Sequence, residues 1–236
     1  MALRFNHLGQ YPKSLPELTD EQKHIREDFY KVWLEALPQR FGLIEQFNHR
    51  YPLRTYKPGV KTLDIGAGRG EHAAYEKLDQ QEYVGLELRP ELANLMKANH
   101  PQIKTHVGDI QTKIDFPDGY FDRILTIHVL EHLPDLPQAL DEIRRLLKPD
   151  GQFTVMMPCD PGLAYNLARN LSARRIFEQR YNQKYDWFVA CEHINHWSEI
   201  LAELHKRFKI TNQIYFPLAV PVPTINLVIG LTLQQL

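Results

Sequence analysis

The sequence predicts an α/β fold of the doubly wound kind, a mostly parallel sheet covered by helices on both faces. Three observations carry that expectation. Short apolar runs alternate with helical periods from residue 60 to 157, a glycine-rich turn follows the first apolar run, and the last 26 residues carry no charge yet are broken by prolines. The chain has 236 residues, 43% of them apolar, enough for one good-sized core and contrary to disorder, collagen or coiled coil.

In chain order, residues 17–50 show helical spacing, with Leu18, Ile25, Phe29, Val32, Trp33 and Leu37 on one stripe and Thr19-Asp20-Glu21-Gln22 as a helix start. A loop from Tyr51 to Gly59 follows, and then the alternation begins. Strands are expected at 60–65, 82–87, 103–107, 121–127 and 152–157. Helices are expected after Gly70, from Pro90 to His100 and from Leu136 to Leu147, the last stopped by Lys148-Pro149-Asp150-Gly151. This order is that of right-handed βαβ units. Residues 158–206 interrupt it with helical, aromatic and basic sequence.

The tail, Thr211 to Leu236, is long enough in its apolar part to raise the question of a membrane anchor. Pro217, Pro221 and Pro223 break any helix there, and the β-branched run Thr224 to Gln234 reads as a strand, paired with the strand expected from Phe208 to Phe216. No transmembrane segment is expected. With 28 Lys and Arg against 29 Asp and Glu, a net charge of −1 offers no bulk attraction to nucleic acid, which is not expected as a partner. Cys159 and Cys191 form no C-x-x-C pair, and residues 1–7 show no basic run before an apolar signal core, so a reduced, cytoplasmic setting is expected.

The turn Asp64-Ile65-Gly66-Ala67-Gly68-Arg69-Gly70-Glu71 lets a ligand lie against bare backbone. Glu87 closes the second strand, where an acid in such folds takes both ribose hydroxyls, and Asp109 ends the third at the same sheet edge. A dinucleotide site would show G-x-G-x-x-G, but the sixth position here is Glu71, whose charge repels a pyrophosphate. Asp64 and Glu71 instead suit a ligand carrying a sulfonium and an ammonium.

Leu63-Asp64-Ile65-Gly66-Ala67-Gly68-Arg69-Gly70, Gly85-Leu86-Glu87, Gly108-Asp109-Ile110 and the run from Phe121 through His128-Val129-Leu130-Glu131-His132 to Asp135 resemble the successive motifs of class I S-adenosylmethionine-dependent methyltransferases, closest to the type 11 domain. The resemblance covers about residues 57 to 158. It implies a Rossmann-like, seven-stranded sheet ending in an antiparallel C-terminal hairpin strand, S-adenosyl-L-methionine as cofactor and S-adenosyl-L-homocysteine as product, with no metal. By that similarity Asp64, Gly66, Ala67, Gly68, Gly70 and Glu71 receive the methionine part, Glu87 and Leu88 the ribose, Asp109 and Ile110 the adenine, and His128 the methyl end. The single domain then divides into a leading helical segment (1–56), a cofactor-binding core (57–158), a helical substrate cap (159–206) and a strand pair (207–236).

Methyl transfer is an in-line displacement in which positioning supplies much of the rate, and a base matters only where the acceptor must lose a proton. His128, at the end of the fourth strand, is the first candidate for base or pocket wall; His193 and His196, three apart and read as one helical face, are the next. His132 is expected to be structural. Within the cap, Arg169, Arg174, Arg175, Arg180 and Lys184 face one acid, Glu178, so that Tyr165, Arg169, Arg174 and Arg175 are candidates to gather an anionic or amphipathic small molecule, methylated on oxygen or carbon. Tyr11, Tyr30 or Tyr51 is placed near the cofactor if the leading helix covers the site. Two alternatives stand beside this: a lipid or quinone acceptor met at a membrane surface through peripheral contact, and a protein that binds the cofactor without transferring methyl. The oligomeric state stays open.

Overall fold

The computed structural model describes residues 9–40 and 42–236, and for residues 33–40 the backbone alone. The reading of residues 1–7 and the side chains of Trp33 and Leu37 lie outside the described residues. Strands β1 (Lys61–Ile65), β2 (Glu82–Glu87), β3 (Lys104–Val107), β4 (Phe121–Ile127), β5 (Leu147–Pro158), β6 (Phe208–Phe216) and β7 (Val228–Gln235) form one sheet in the order β3-β2-β1-β4-β5-β7-β6. The first five run parallel, while β7 lies antiparallel between β5 and β6. The central strands read as continuous apolar runs because both faces are covered: Leu63, Ile124, Leu125, Phe153 and Val155 are all fully buried.

Helices α1 (Asp20–Arg40) and α2 (Gly42–Arg50) replace the single leading stretch. Helix α3 (Pro90–Asn99) opens on a proline, which suits a first turn. Helix α4 (Leu136–Leu146) is capped by the Asp135 carboxylate, which accepts from the Gln138 N–H at 3.3 Å. Its buried residues Leu136, Ala139, Leu140, Ile143 and Leu146 recur at threes and fours and lie on the sheet. Helices α5 (Leu163–Arg169), α6 (Arg175–Tyr181), α7 (Asp186–Glu192) and α8 (Trp197–His205) fill the interruption after β5, with a π turn over Asn170–Arg174 between the first two.

Two local expectations are corrected. After Gly70 the chain forms only a short 3-10 turn, His72–Tyr75, because Glu76 must reach inward. Its carboxylate is fully buried against Arg123 at 2.7 Å and His72 at 2.8 Å, and the backbone turns extended there (φ −93°, ψ 153°). The last strand starts at Val228 and not at Thr224, because buried Asn226 holds the proline connection: its Nδ2 donates to the carbonyls of Val220 and Val222 at 3.0 Å and its Oδ1 accepts from the Leu218 N–H.

The leading helices and the residues after β5 build one cap. Phe29 of α1, 1% exposed, is surrounded edge-on by Phe177, Tyr181, Tyr185 and Phe188, with ring centroids 5.1–6.2 Å away. Among the described residues no helix is long and apolar enough to cross a membrane.

Candidate active site

Strand order reverses between β1 and β4, and open α/β sheets bind ligands at the carboxyl ends beside such a switch. At the end of β1, Gly66, Gly68 and Gly70 all take positive φ (68°, 58° and 88°), which side chains with a Cβ adopt at a cost. A Cβ on Gly66 would meet Val129 Cγ2 at 2.6 Å, and one on Gly68 would meet Glu71 Oε2 at 2.8 Å. The loop is tied to β2: Gly66 N–H donates to the Leu86 carbonyl at 2.8 Å and Gly68 N–H to Glu87 Oε2 at 3.0 Å. Glu87, 4% exposed, accepts on its other oxygen from the Arg89 N–H at 3.0 Å.

The expected cofactor residues divide. Asp64, Gly66, Ala67, Gly68, Glu71 and His128 line one cleft of about 230 Å³, together with Arg89 and Leu92 and with Glu45, Asn48 and His49 of α2. Asp64 accepts from the Tyr83 hydroxyl at 2.7 Å, and burial pushes its carboxyl above the usual range despite His72 and that hydrogen bond. Glu71 is held by Arg69 Nε at 2.9 Å. Gly70 packs away from the cleft, against His100. Glu87 stands behind the loop, Leu88 is 62% exposed beside it, and Ile110 sits in the main core at 4% exposure. Asp109, two residues past the end of β3 rather than closing it, accepts from the Gln111 N–H at 2.9 Å. Glu87, Leu88, Asp109 and Ile110 lie off the cleft lining.

His128 follows β4 with φ +54°, a left-handed conformation that non-glycine residues rarely take. Its N–H donates to the Met156 carbonyl at 2.9 Å, so the ladder to β5 fixes the residue although its backbone has left the strand. Its Nδ1 lies 3.2 Å from Glu131 Oε1. Burial pushes the imidazole pKa down, but the hydrogen bond and charge of Glu131, with the charge of Glu45 on α2, outweigh this and raise it above its ordinary value.

A second cavity, of about 280 Å³, opens from the same residues toward the cap. Phe29, Tyr30, Tyr165, Tyr185 and Phe188 give it aromatic walls, with His132, His193, Arg169, Glu131 and Glu192 among the polar lining. Glu45, Asn48 and His128 border both cavities.

The three candidate histidines separate. His193 lines the second cavity and its Nδ1 faces Asp160 Oδ2 at 2.8 Å. His196 lies outside both linings and opens α8, its N–H donating to Glu199 Oε2 at 2.9 Å. They do not share a helical face, because the link between α7 and α8 is pinned to the turn after β4. Ile194 and Asn195 N–H groups both donate to the Glu131 carbonyl at 3.0 Å, and the Asn195 side chain donates to the carbonyls of Leu130 and Leu133. His132 positions the other side of that turn through Nδ1 to the Glu192 carbonyl at 2.6 Å.

Nor do the cap's cations gather at the cavity. Tyr165 and Arg169 line it, but Arg169 donates to Asp160 Oδ2 at 2.6 Å. Arg174 is spent on Asp186 and Glu178, Arg180 on Asp28, and Arg175 is exposed on α6 away from the lining. Of the three tyrosines, Tyr30 lines the cavity, while Tyr11 and Tyr51 pack elsewhere in the core. Tyr30 donates to Glu192, which also accepts from Arg26 Nε at 2.6 Å. Glu45, Asn48 and Glu192 have no motif spacing to announce them; an amphipathic helix ahead of the first strand is the one available signal. Among the described residues no three His, Cys, Asp or Glu side chains are grouped to hold a metal.

Residues 63–155 match the family model described as a methyltransferase domain. The chain is 30% identical over 132 residues to an uncharacterized methyltransferase of Synechocystis, covering 52% of this chain and 62% of that one. It is 35% identical over 155 residues to a sterol 24-C-methyltransferase of Gibberella zeae, covering 58% and 40%. It thus spans between two fifths and two thirds of the length of these relatives. Among solved structures, a geranyl diphosphate C-methyltransferase of Streptomyces coelicolor in complex with S-adenosyl-L-homocysteine shares the fold at TM-score 0.61 and 10% identity, covering 93% of this chain and 100% of that one.

Proposed function

We propose that this chain, which carries a methyltransferase domain of the class I S-adenosylmethionine-dependent kind, is an enzyme that transfers a methyl group to a small molecule held under its cap. One observation carries the reading: the glycine-loop cleft and the aromatic cavity share Glu45, Asn48 and His128 as a common border. A donor in the first and an acceptor in the second meet there. A protein that only binds the cofactor has no use for a second cavity at its methyl end.

The residues present fit the cofactor. The bare glycine loop leaves a cradle that a Cβ at Gly66 or Gly68 would fill, and Glu87, a carboxylate with room for about four hydrogen bonds, accepts from Gly68 N–H and from Arg89 N–H and Nε, which leaves room for one hydroxyl, and for a second where Arg89 Nε gives way. When bound, S-adenosylmethionine supplies a methyl group on a sulfonium sulfur. Asp64 and Glu71 offset its positive charges from the cleft wall. The chain's part in the transfer is to orient the acceptor against aromatic walls, exclude water with the cap, and present His128 at the border to receive a proton. With Arg169 and Arg174 committed to acids and Arg175 outside the lining, an oxygen or carbon acceptor on a largely apolar body fits better than an anion.

Calorimetric titration tests this. Micromolar binding of S-adenosylmethionine and S-adenosylhomocysteine, without binding of a nicotinamide dinucleotide, is expected; no binding of the first two refutes it.

A second reading, a lipid or quinone acceptor taken from a membrane surface, is favoured by one surface. Leu163, Leu167 and Leu171 are 59–72% exposed at intervals of four, and exposed Arg175 continues the row. Leu218, Val220, Val222 and Ile225 are exposed in the proline connection, which meets α5 where Leu163 N–H donates to Thr224 Oγ1 at 3.2 Å. Co-sedimentation with anionic phospholipid vesicles, lost in Leu167→Glu, supports it; absence of binding excludes it.

A further inference from the structure

A polar atom buried without a partner costs free energy, so such an atom on a residue lining a cavity marks where a ligand's polar group belongs. Two such atoms belong to residues of the aromatic cavity: Asn48 Oδ1, on a side chain in a residue 3% exposed, and Glu131 Oε2, in a residue 1% exposed. Both are acceptors. The Asn48 amide nitrogen serves the Glu45 carboxylate, which leaves the amide oxygen as the free end. Glu131 Oε1 faces His128, which leaves Oε2. Asn48 also borders the cofactor cleft, and Glu131 stands against His128, which borders it too.

Resting on the methyltransferase reading above, we infer that the acceptor is a neutral molecule presenting two hydroxyl groups, a catechol or vicinal diol on an apolar body, whose O–H groups are received by Glu131 and Asn48. A single hydroxyl satisfies only one of the two acceptors. A carboxylate or phosphate would enter among Glu45, Glu131 and Glu192, with Arg169 already given to Asp160 and Arg26 to Glu192. The remaining free atom of the lining, Arg169 Nε, is a donor and accommodates one uncharged oxygen of the body. The step balances: the reacting oxygen bonds to the methyl carbon as the sulfonium S–C bond breaks, the electron pair stays on sulfur, and the hydroxyl proton passes to the Glu131–His128 pair through the carboxylate that holds it, whose other oxygen faces His128 Nδ1.

The test uses the full chain saturated with S-adenosylhomocysteine and compares tert-butylcatechol, its dimethyl ether and tert-butylbenzoate by calorimetry. The catechol is expected to bind at least tenfold tighter than either. A smaller preference, tightest binding of the benzoate, or no binding of the catechol overturns the inference. In Asn48→Leu the preference for catechol over ether falls at least threefold; an unchanged preference in the folded variant also overturns it. The S-adenosylhomocysteine titration separates the two claims. Its failure refutes the methyltransferase reading, whereas its success without a diol preference refutes this inference alone.

Discussion

Substituting Gly66 by alanine tests the geometry of the glycine loop with a cost that the structure decomposes. At φ +68° an L-residue loses about 1 kcal/mol or more to backbone strain. Its methyl would also stand 2.6 Å from Val129 Cγ2, an overpacking of the kind that costs about 1–3 kcal/mol. Together these predict a loss of about 3 kcal/mol, a drop in Tm of roughly 6–12 °C for a chain of this length. The two parts separate in a double-mutant cycle with Val129→Ala. Removing the valine methyls relieves the collision and leaves the strain, so the combined variant should be about 1–3 kcal/mol more stable than the sum of the single losses. Chemical denaturation of the four proteins measures this. Additive losses would refute the placement of the turn after β4 against the loop.

Glu87→Ala should weaken S-adenosylhomocysteine by about 100-fold in calorimetry, since two hydrogen bonds to a charged group, at about 1.5 kcal/mol each, are lost; a change under threefold contradicts the ribose role. Burial pushes the Glu76 carboxyl up, but the hydrogen bond from His72 and the Arg123 charge overrule it and hold its pKa at about 2. A folded pKa below the unfolded value gives stability that is complete above about pH 4.5 and lost as pH falls toward 2, on the order of 3 kcal/mol. In Glu76→Gln that part of the acid dependence of denaturation should vanish. By NMR, His128 should titrate above the ordinary imidazole range, being cationic below that pKa and neutral above it. Glu131→Gln removes the nearer of its two raising charges and should lower that value, with Glu45 on α2 still in place; an unchanged titration refutes the Glu131 contact.

Much of the fold was legible because it is written in short-range chemistry. Parallel strands buried on both faces read as unbroken apolar runs, and β4 lies at 121–127 as expected from Phe121 to Ile127. The glycine loop was legible for the same reason: positive φ at three alternate positions calls for glycine. Long-range pairings were not legible. The helical pattern after Gly70 yielded to a buried ion pair with Arg123, which is distant in sequence, and the His193–His196 spacing yielded to Asn195 bonding across to Leu130 and Leu133. The basic run of the cap looked like an anion site because sequence spacing does not show that Asp28, Asp160 and Asp186 meet Arg180, Arg169 and Arg174. The role of α2 was hidden too, since Glu45 and Asn48 reach the border of the two cavities through tertiary packing alone.

The most direct test of the account is a crystal structure of the protein with S-adenosylhomocysteine. The account predicts ribose hydroxyls on Glu87, the ligand against Gly66 and Gly68, and the sulfur facing His128 at the border of the aromatic cavity. A sulfur directed away from His128, or a ligand bound outside the glycine-loop cleft, would contradict it.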